Sequence, residues 1–318
     1  YEISPLQGIE NYFSPASQVT YAEGYSSVPT QNRHALLLEA VDAARKADVV
    51  IFVGGLNKNE NQDCEGADRR SLNLPYGQDE LIGELARVNR NLVAVIISGN
   101  AVAMPWVNEV PAIVEAWYGG TEAGNAIASV LAGEVNPSGK LPFTFPVRLE
   151  DNPAIALDAY PGDGKQVEYK EGIFVGYRWN DRERIKPLFC FGHGLSYTTF
   201  EYGKVTAEGR QMGPDGTITV SVPVKNTGSR AGAEIVQLYV SDLKSSLPRP
   251  VKELKGFRKI TLQPGQEQTV SFTIDRKALS FYDDTKQDWV AEPGAFEALV
   301  GASACDIRGK AAFELTAR

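Results

Sequence analysis

The chain has 318 residues, a length that favours two domains of ordinary size over one. Hydrophobic residues make up 43% of it, enough for real cores, and no apolar run reaches the roughly 18 residues that a membrane span needs. The net charge of −8 argues against a nucleic-acid partner, because phosphate binding needs a basic face. We therefore expect neither a membrane-spanning protein nor a nucleic-acid-binding protein.

The cysteine and histidine content argues against a metal site and a disulfide framework. The three cysteines lie far apart and match no metal-ligand spacing: Cys64, Cys190 and Cys305. Because an odd number cannot pair completely within one chain, we expect no disulfide framework. His34 and His193 are too few for a histidine-rich metal site, and the glycines beside His193 favour a structural role for it.

Residues 1–150 alternate between strand-like and helix-like segments. The run "VVIFVGG" is apolar and rich in β-branched residues, which is typical of a parallel strand buried on both faces. The predicted strands are 18–24, 48–55, 91–100 and 111–120, and the predicted helices are 32–47, 78–90 and 121–134, the last with Thr121 as its N-cap. Strands alternating with helices predict an open, mostly parallel α/β sheet sandwich.

The stretch "WYGGTEAG" lies between the last of these strands and the last helix. It lacks the glycine spacing of a dinucleotide-binding loop and the lysine–serine pair of a phosphate-binding loop. We therefore interpret it as a tight strand-to-helix turn, in which Gly119 and Gly120 supply permissive backbone angles.

The second half of the chain changes to a period of two. "GTITVSVPVKNTG" and "TVSFTID" alternate apolar with polar residues, and turn signals such as "QPGQ" lie between such runs. This pattern predicts an all-β, immunoglobulin-like antiparallel sandwich over residues 189–318. Residues 151–188, rich in proline, glycine and aspartate, are predicted to be a linker.

A strongly charged loop, "NENQDCEGADRRSLNLP" over residues 59–75, directly follows the apolar strand. In open α/β sheets, ligands bind in the crevice beyond the carboxyl ends of the strands, which is where this loop begins. Aspartate and glutamate are also the residues that cleave sugars, one protonating the leaving oxygen and another attacking or activating water. The alternative for any one of these acids is an ordinary solvated connection.

Several blocks occur in order along nearly the whole chain: "CEGADRRSLNLP", "GQDELI", "VIISGNAVAMPW", "VEAWYGGTEAGNAIASVLAGEVNPSGKLPFTFP", "FCFGHGLSYTTFEY", "KNTGSRAGAEIVQLYV" and "ELKGFRKITLQPGQ". Together they resemble the carboxy-terminal part of glycoside hydrolase family 3. The resemblance implies an α/β sandwich followed by a fibronectin type III domain. It also implies a retaining, exo-acting β-glycosidase that needs no metal or organic cofactor and removes terminal β-D-glucosyl residues from a glycoside or oligosaccharide.

The resemblance further implies which residues act. In the family, the loop of the second domain lends the acid/base glutamate in an E-G-x-D-R-like context, which Glu65 in "CEGADR" matches. Glu60 is the reserve for this role and Asp63 a weaker one. Asp68 and Arg69 are expected to form an ion pair that shapes the loop. The substrate-binding candidates are Arg70 and Trp179, the latter as an aromatic rim contact.

Family members also carry a (β/α)8-type barrel that holds the aspartate nucleophile, and no segment of this chain matches it. Since the chain opens at Tyr1 without a charged-then-apolar leader, we interpret it as a processed mature chain or a fragment. Separately, a secreted or periplasmic location is expected. The expected partner is a barrel domain on the same polypeptide or on another chain, and a homo-oligomer is left open. The alternatives are a β-xylosidase of the same family and a non-catalytic carbohydrate-binding or scaffold relic.

Overall fold

The computed structural model of the chain describes residues 1–28 and 31–317. It divides into two compact units, the first made of residues 1–135 and 147–149, the second of residues 136–146 and those from 150 onward. None of the helices in the described ranges combines the length and the apolar character needed to cross a membrane.

The first unit contains the strands β1 (Val50–Gly55), β2 (Leu92–Ile97) and β3 (Ala112–Glu115), and the helices α1 (Pro5–Phe13), α2 (Arg33–Ala44), α3 (Gln78–Val88) and α4 (Ala123–Leu131). The strands form a three-stranded parallel sheet in the order β1-β2-β3. Leu92 and the run from Ala94 to Ile96 are buried completely, as expected for a parallel strand covered on both faces.

Helices α1 and α4 cross at two glycines. A Cβ atom added to Gly8 would lie 2.2 Å from the backbone of Gly124, so only glycine allows this approach. Sequence reasoning did not predict α1, although Ser4 caps it and Pro5 occupies its first turn.

Two predictions for the first unit are wrong. Residues 18–24, predicted to be a strand, have no regular secondary structure. The N-cap of α4 is Glu122 rather than Thr121. The carbonyl of Thr121 instead accepts a hydrogen bond of 2.9 Å from the amide of Ile3. The predicted glycine turn is present, with Gly120 at φ +74°.

The second unit contains the antiparallel sandwich. Its strands are β4 (Phe200–Tyr202), β5 (Thr206–Ala207), β6 (Gln211–Met212), β7 (Thr217–Asn226), β8 (Gly232–Asp242), β9 (Glu253–Leu262), β10 (Glu267–Asp275), β11 (Phe281–Asp283), β12 (Asp288–Val290), β13 (Gly294–Ser303) and β14 (Asp306–Leu315). One sheet has the order β6-β14-β13-β8-β9, the other has β10-β7-β4 with β5 also paired to β7, and β11 pairs with β12 in a hairpin. The alternate apolar residues of β7, β8, β10 and β13 face each other in one core.

Residues 151–188, predicted to be a linker, belong to the second unit and contain the short helices α5 (Pro153–Ala156) and α6 (Tyr177–Glu183). A further helix, α7 (Arg276–Leu279), follows β10. The second unit also includes residues 136–146, where Phe145 bridges Phe189.

The expectation of no disulfide framework needs a correction. Cys190 and Cys305 form a disulfide with their Cα atoms 6.0 Å apart, and Cys64 is free. The two bonded residues are 115 positions apart in the sequence. Only the folded sandwich brings them together, so their spacing carries no signal of the pair.

Candidate active site

Three strand ends meet at one edge of the parallel sheet. Because β1, β2 and β3 run in the same direction, Gly55, Ile97 and Glu115 end them on the same side. The charged loop, residues 59–75, lies between β1 and α3, and the segments after β2 and β3 approach it. This edge is the place where open α/β sheets bind ligands.

Both ends of the charged loop are fixed by Gln78, the first residue of α3. Its side chain is completely buried, accepts a hydrogen bond of 2.7 Å from the Gly55 amide and donates one of 2.9 Å to the Gly55 carbonyl. It also donates to the carbonyl of Pro75 at 3.0 Å. The end of β1 and the end of the loop are therefore joined through one amide group.

The first half of the loop is held by Gln62. Its Oε1 accepts from the Asn57 amide at 3.0 Å and its Nε2 donates to the Tyr76 hydroxyl at 2.6 Å. Hydrogen bonds from Asn59, and more weakly from Asn57 and Gln62, lower the pKa of Tyr76 below its ordinary value. Gln62 thus links the backbone of Asn57 to the phenol of Tyr76, close to the acidic residues of the loop.

Asp63 connects the middle of the loop to the other two strands. Its Oδ2 accepts a hydrogen bond of 2.6 Å from the Gly99 amide, just after β2, and one of 2.8 Å from the Tyr118 hydroxyl, just after β3. Burial raises the pKa of Tyr118, and the bond to Asp63 raises it further. The hydroxyl of Tyr118 therefore stays protonated and able to donate.

Arg69 provides a second attachment of the loop to the segment that follows β2. Its Nη1 donates to the Ala101 carbonyl at 2.8 Å and its Nε to the Ser71 carbonyl at 3.3 Å, while Nη2 is buried without a hydrogen-bond partner among the described residues. Burial lowers the pKa of Arg69, an effect opposed by the nearby charge of Asp63. The predicted ion pair of Arg69 with Asp68 stays a prediction, whereas these two bonds to backbone carbonyls are observed.

Glu115 is a member of the site that sequence reasoning missed. Its Oε1 accepts from the Ser98 hydroxyl at 3.2 Å and from the Trp117 amide at 3.3 Å, and its Oε2 is buried without a hydrogen-bond partner in the described part of the chain. Burial raises the pKa of this carboxyl to about 7, with a smaller contribution from Asp63. The available signal was an acid ending the otherwise apolar strand "AIVE".

The predicted residues Glu65, Glu60 and Arg70 all lie on the charged loop with exposed side chains. Glu65 stands between two fixed points, Asp63 and Arg69, and next to Gly66 at φ +82°. An exposed carboxyl on a fixed loop is able to meet a ligand.

The prediction that Trp179 forms an aromatic contact at the rim of the site is wrong. In the second unit it lies on α6 with only 4% of its surface exposed, and the Arg182 guanidinium covers its ring at 4.5 Å. A buried indole has no open face for a sugar, because stacking needs a free ring. In the same unit, His193 stacks on Phe189 at 5.3 Å, in agreement with the structural role predicted for it.

Within residues 1–28 and 31–317, no three His, Cys, Asp or Glu side chains come together in a way that could hold a metal ion.

Comparison with known proteins identifies the family. Residues 1–177 match the glycosyl hydrolase family 3 C-terminal domain, and residues 234–304 match a fibronectin type III-like domain. The chain belongs to glycosyl hydrolase family 3. The family and the two-part fold class predicted from the sequence are thereby confirmed.

Family 3 relatives share most of this chain. Beta-glucosidase BoGH3A of Bacteroides ovatus is 55% identical over 98% of this chain and 43% of its own length. Thermostable beta-glucosidase B of Acetivibrio thermocellus is 47% identical over 91% of this chain and 38% of its own length. The crystal structure of a GH3 beta-glucosidase from Bifidobacterium adolescentis superposes with a TM-score of 0.91 at 36% identity, over 99% of this chain and 45% of that protein. The chain thus spans less than half the length of these relatives.

Proposed function

We propose that this chain is the part of a retaining, exo-acting β-glucosidase that supplies the general acid/base to a barrel domain holding the nucleophile. The observation that carries the proposal is the fixed loop beyond β1, which presents the exposed carboxyl of Glu65 between the anchors of Asp63 and Arg69. Relatives that share 98% and 91% of this chain are named beta-glucosidases, which favours a glucosyl over a xylosyl substrate.

In this function, Glu65 acts twice. Its carboxyl first donates a proton to the glycosidic oxygen, while the nucleophile of the barrel attacks the anomeric carbon and the bond to the leaving alcohol breaks. The Glu65 carboxylate then takes a proton from water as that water attacks the glycosyl-enzyme, and the sugar leaves with its original configuration. The nucleophile would come from the barrel domain, on the same polypeptide or on a partner chain.

The disulfide between Cys190 and Cys305 supports a location outside the reducing cytosol. We propose a secreted or periplasmic protein, which also suits an enzyme acting on external glycosides.

The test compares Glu65→Gln with Glu60→Gln in the polypeptide that joins this chain to its barrel. Loss of the proton donor should slow hydrolysis of a disaccharide by roughly 10²–10⁴-fold, because its leaving group needs protonation. An activated aryl glucoside should be affected less in the first step and should accumulate the glycosyl-enzyme. Azide, which needs no base, should then restore turnover and give a β-glucosyl azide.

Glu60→Gln should behave as the wild type in each of these assays. If Glu60→Gln shows the leaving-group dependence and azide rescue while Glu65→Gln does not, the acid/base is Glu60. If neither variant shows them, the loop has no part in proton transfer.

A further inference from the structure

We propose that Asp63 and Tyr118 are positioning residues for the acid/base Glu65. Their hydrogen bond holds the loop so that the Glu65 carboxyl can reach the glycosidic oxygen of the substrate. The inference rests on the proposed function of Glu65. It adds two residues that do not exchange protons with the substrate but decide where the Glu65 carboxyl stands.

Two anchors flank Glu65 in the charged loop. The first is Asp63, which accepts hydrogen bonds from the Gly99 amide and the Tyr118 hydroxyl at 2.6 and 2.8 Å. The second is Arg69, which donates a hydrogen bond to the Ala101 carbonyl at 2.8 Å. Both anchors therefore contact the backbone that follows β2, and Glu65 lies on the short segment between them.

Two observations describe the backbone between Asp63 and Arg69. The Cys64 thiol donates to the Ala67 carbonyl at 3.4 Å, and a Cβ atom added to Gly66 would meet nothing within 4 Å. Asp63 and Arg69 are therefore the observed anchors on either side of Glu65. Asp63 is the nearer of the two, only two residues away from Glu65.

The charged groups near Asp63 and Tyr118 favour a fixed anchor at Asp63. Lys58 lies over the ring of Tyr118 at 5.0 Å, and the positive charge of Arg69 acts on both Asp63 and Tyr118. Glu115 also lies near Asp63, and its buried site favours the neutral carboxyl. Asp63 thus accepts two hydrogen bonds and interacts with the positive charge of Arg69.

Loss of the anchor should resemble a weak loss of acid/base catalysis. Displacement of a catalytic group by about 1 Å can cost about 100-fold in rate, so Asp63→Ala should slow disaccharide hydrolysis by up to that factor. An activated aryl glucoside, whose departure needs no proton, should be slowed much less in its first step. Tyr118→Phe, which removes one of the two bonds, should give a smaller change in the same direction, and Asp63→Asn, which keeps an acceptor, should recover part of the rate.

The decisive experiment measures kcat and KM for both substrates in the barrel-containing enzyme, for Asp63→Ala alone and combined with Glu65→Gln. Because both changes act on the same proton transfer, the double variant should be no slower on the disaccharide than Glu65→Gln alone. Asp42→Ala, at an exposed carboxylate of α2, is the matched control and should leave both rates unchanged. Equal losses on both substrates, or fully additive losses, would overturn the positioning role.

A second measurement needs no activity. Hydrogen exchange of the 318-residue chain should show faster exchange for amides 64–68 and for Gly99 in Asp63→Ala, with amides of β2 unchanged. Unchanged exchange in 64–68 would overturn the anchor itself. If exchange responds but Glu65→Gln lacks any leaving-group dependence, the function proposed for Glu65 fails, and the positioning role fails with it although the anchor stands.

Discussion

Ser98 donates a hydrogen bond of 3.2 Å from its hydroxyl to Oε1 of Glu115, across the ends of the neighbouring strands β2 and β3. The second carboxyl oxygen of Glu115 is buried and has no hydrogen-bond partner among the described residues. Burial holds the pKa of this carboxyl at about 7, so that a large share of the molecules carry it neutral near neutral pH. The charge of this residue therefore changes in a range where most carboxyls are fully ionised.

Glu115→Gln should stabilise the first unit at pH 8 and have little effect at pH 4. Below the ordinary pKa of 4.5 the carboxyl is protonated in both the folded and the unfolded chain. Between pH 4.5 and about 7 the unfolded chain releases the proton first, so the wild type loses stability as the pH rises, by about 1–3 kcal/mol in total. Urea unfolding at the two pH values, followed by circular dichroism, measures the difference. The same exchange at exposed Glu39 is the control, and an equal effect of Glu115→Gln at both pH values would contradict the expectation.

A chain that begins at Phe189 should fold into the sandwich but be much less stable than one that begins at Asn136. The shorter chain lacks Lys140, which pairs with Glu234 at 3.0 Å where both side chains are almost fully buried. It also lacks Asp181, the partner of Lys252 at 2.5 Å. Removing one partner of a buried pair typically costs about 3–5 kcal/mol, since the other charge stays buried.

The two chains are compared by urea unfolding, with the β signal in circular dichroism as the readout. Adding Glu234→Gln to the shorter chain should recover part of the lost stability, because it removes the unpaired charge. Equal midpoints for both chains would show that residues 136–188 add nothing to the sandwich.

The sequence predicted those elements of the fold whose pattern lies within one short segment of the chain. The apolar run of β1 and the alternating residues of β7 and β10 predicted their strands, because burial on two faces or on one leaves a direct pattern. Helix α1 has a capping serine and a proline in its first turn, yet its partner α4 lies more than 100 residues away. Its glycine contact was therefore invisible along the chain.

The same division holds at the candidate site. Glu65 is predicted as the acid/base because the loop matches a family context at a strand end, and this role stays a prediction. The roles proposed for Asp63 and Tyr118 depend on a contact between residues 55 positions apart. The polar surroundings of Trp179 predict a rim contact, but α6 turns its ring inward, under Arg182. Both features depend on contacts that the local sequence pattern does not show.

Asn226→Ala should destabilise the sandwich by about 2–3 kcal/mol. This side chain is completely buried, donates to the carbonyls of Arg230 and Leu262 at 2.7 and 3.0 Å, and accepts from the Thr198 hydroxyl at 2.7 Å. Alanine leaves these buried groups without partners, and each such group costs about 1–3 kcal/mol. Thr227→Ala, which removes an exposed hydroxyl contact one residue away, should cost far less. Similar unfolding midpoints for the two variants would contradict the role of the network.

The 318-residue chain alone should not hydrolyse aryl β-glucosides. A retaining mechanism needs two carboxyl groups about 5–5.5 Å apart across the scissile bond, one as acid/base and one as nucleophile. In the first unit, Asp63 already accepts bonds from Gly99 and Tyr118, and Glu115 is buried at a strand end, so neither is free to attack a sugar held at Glu65. The measurement is release of nitrophenol by the purified chain, with its Glu65→Gln variant as the blank. Turnover above that blank would show a nucleophile within this chain, whereas turnover that begins only when a barrel domain is added would support division of the two carboxyls between domains.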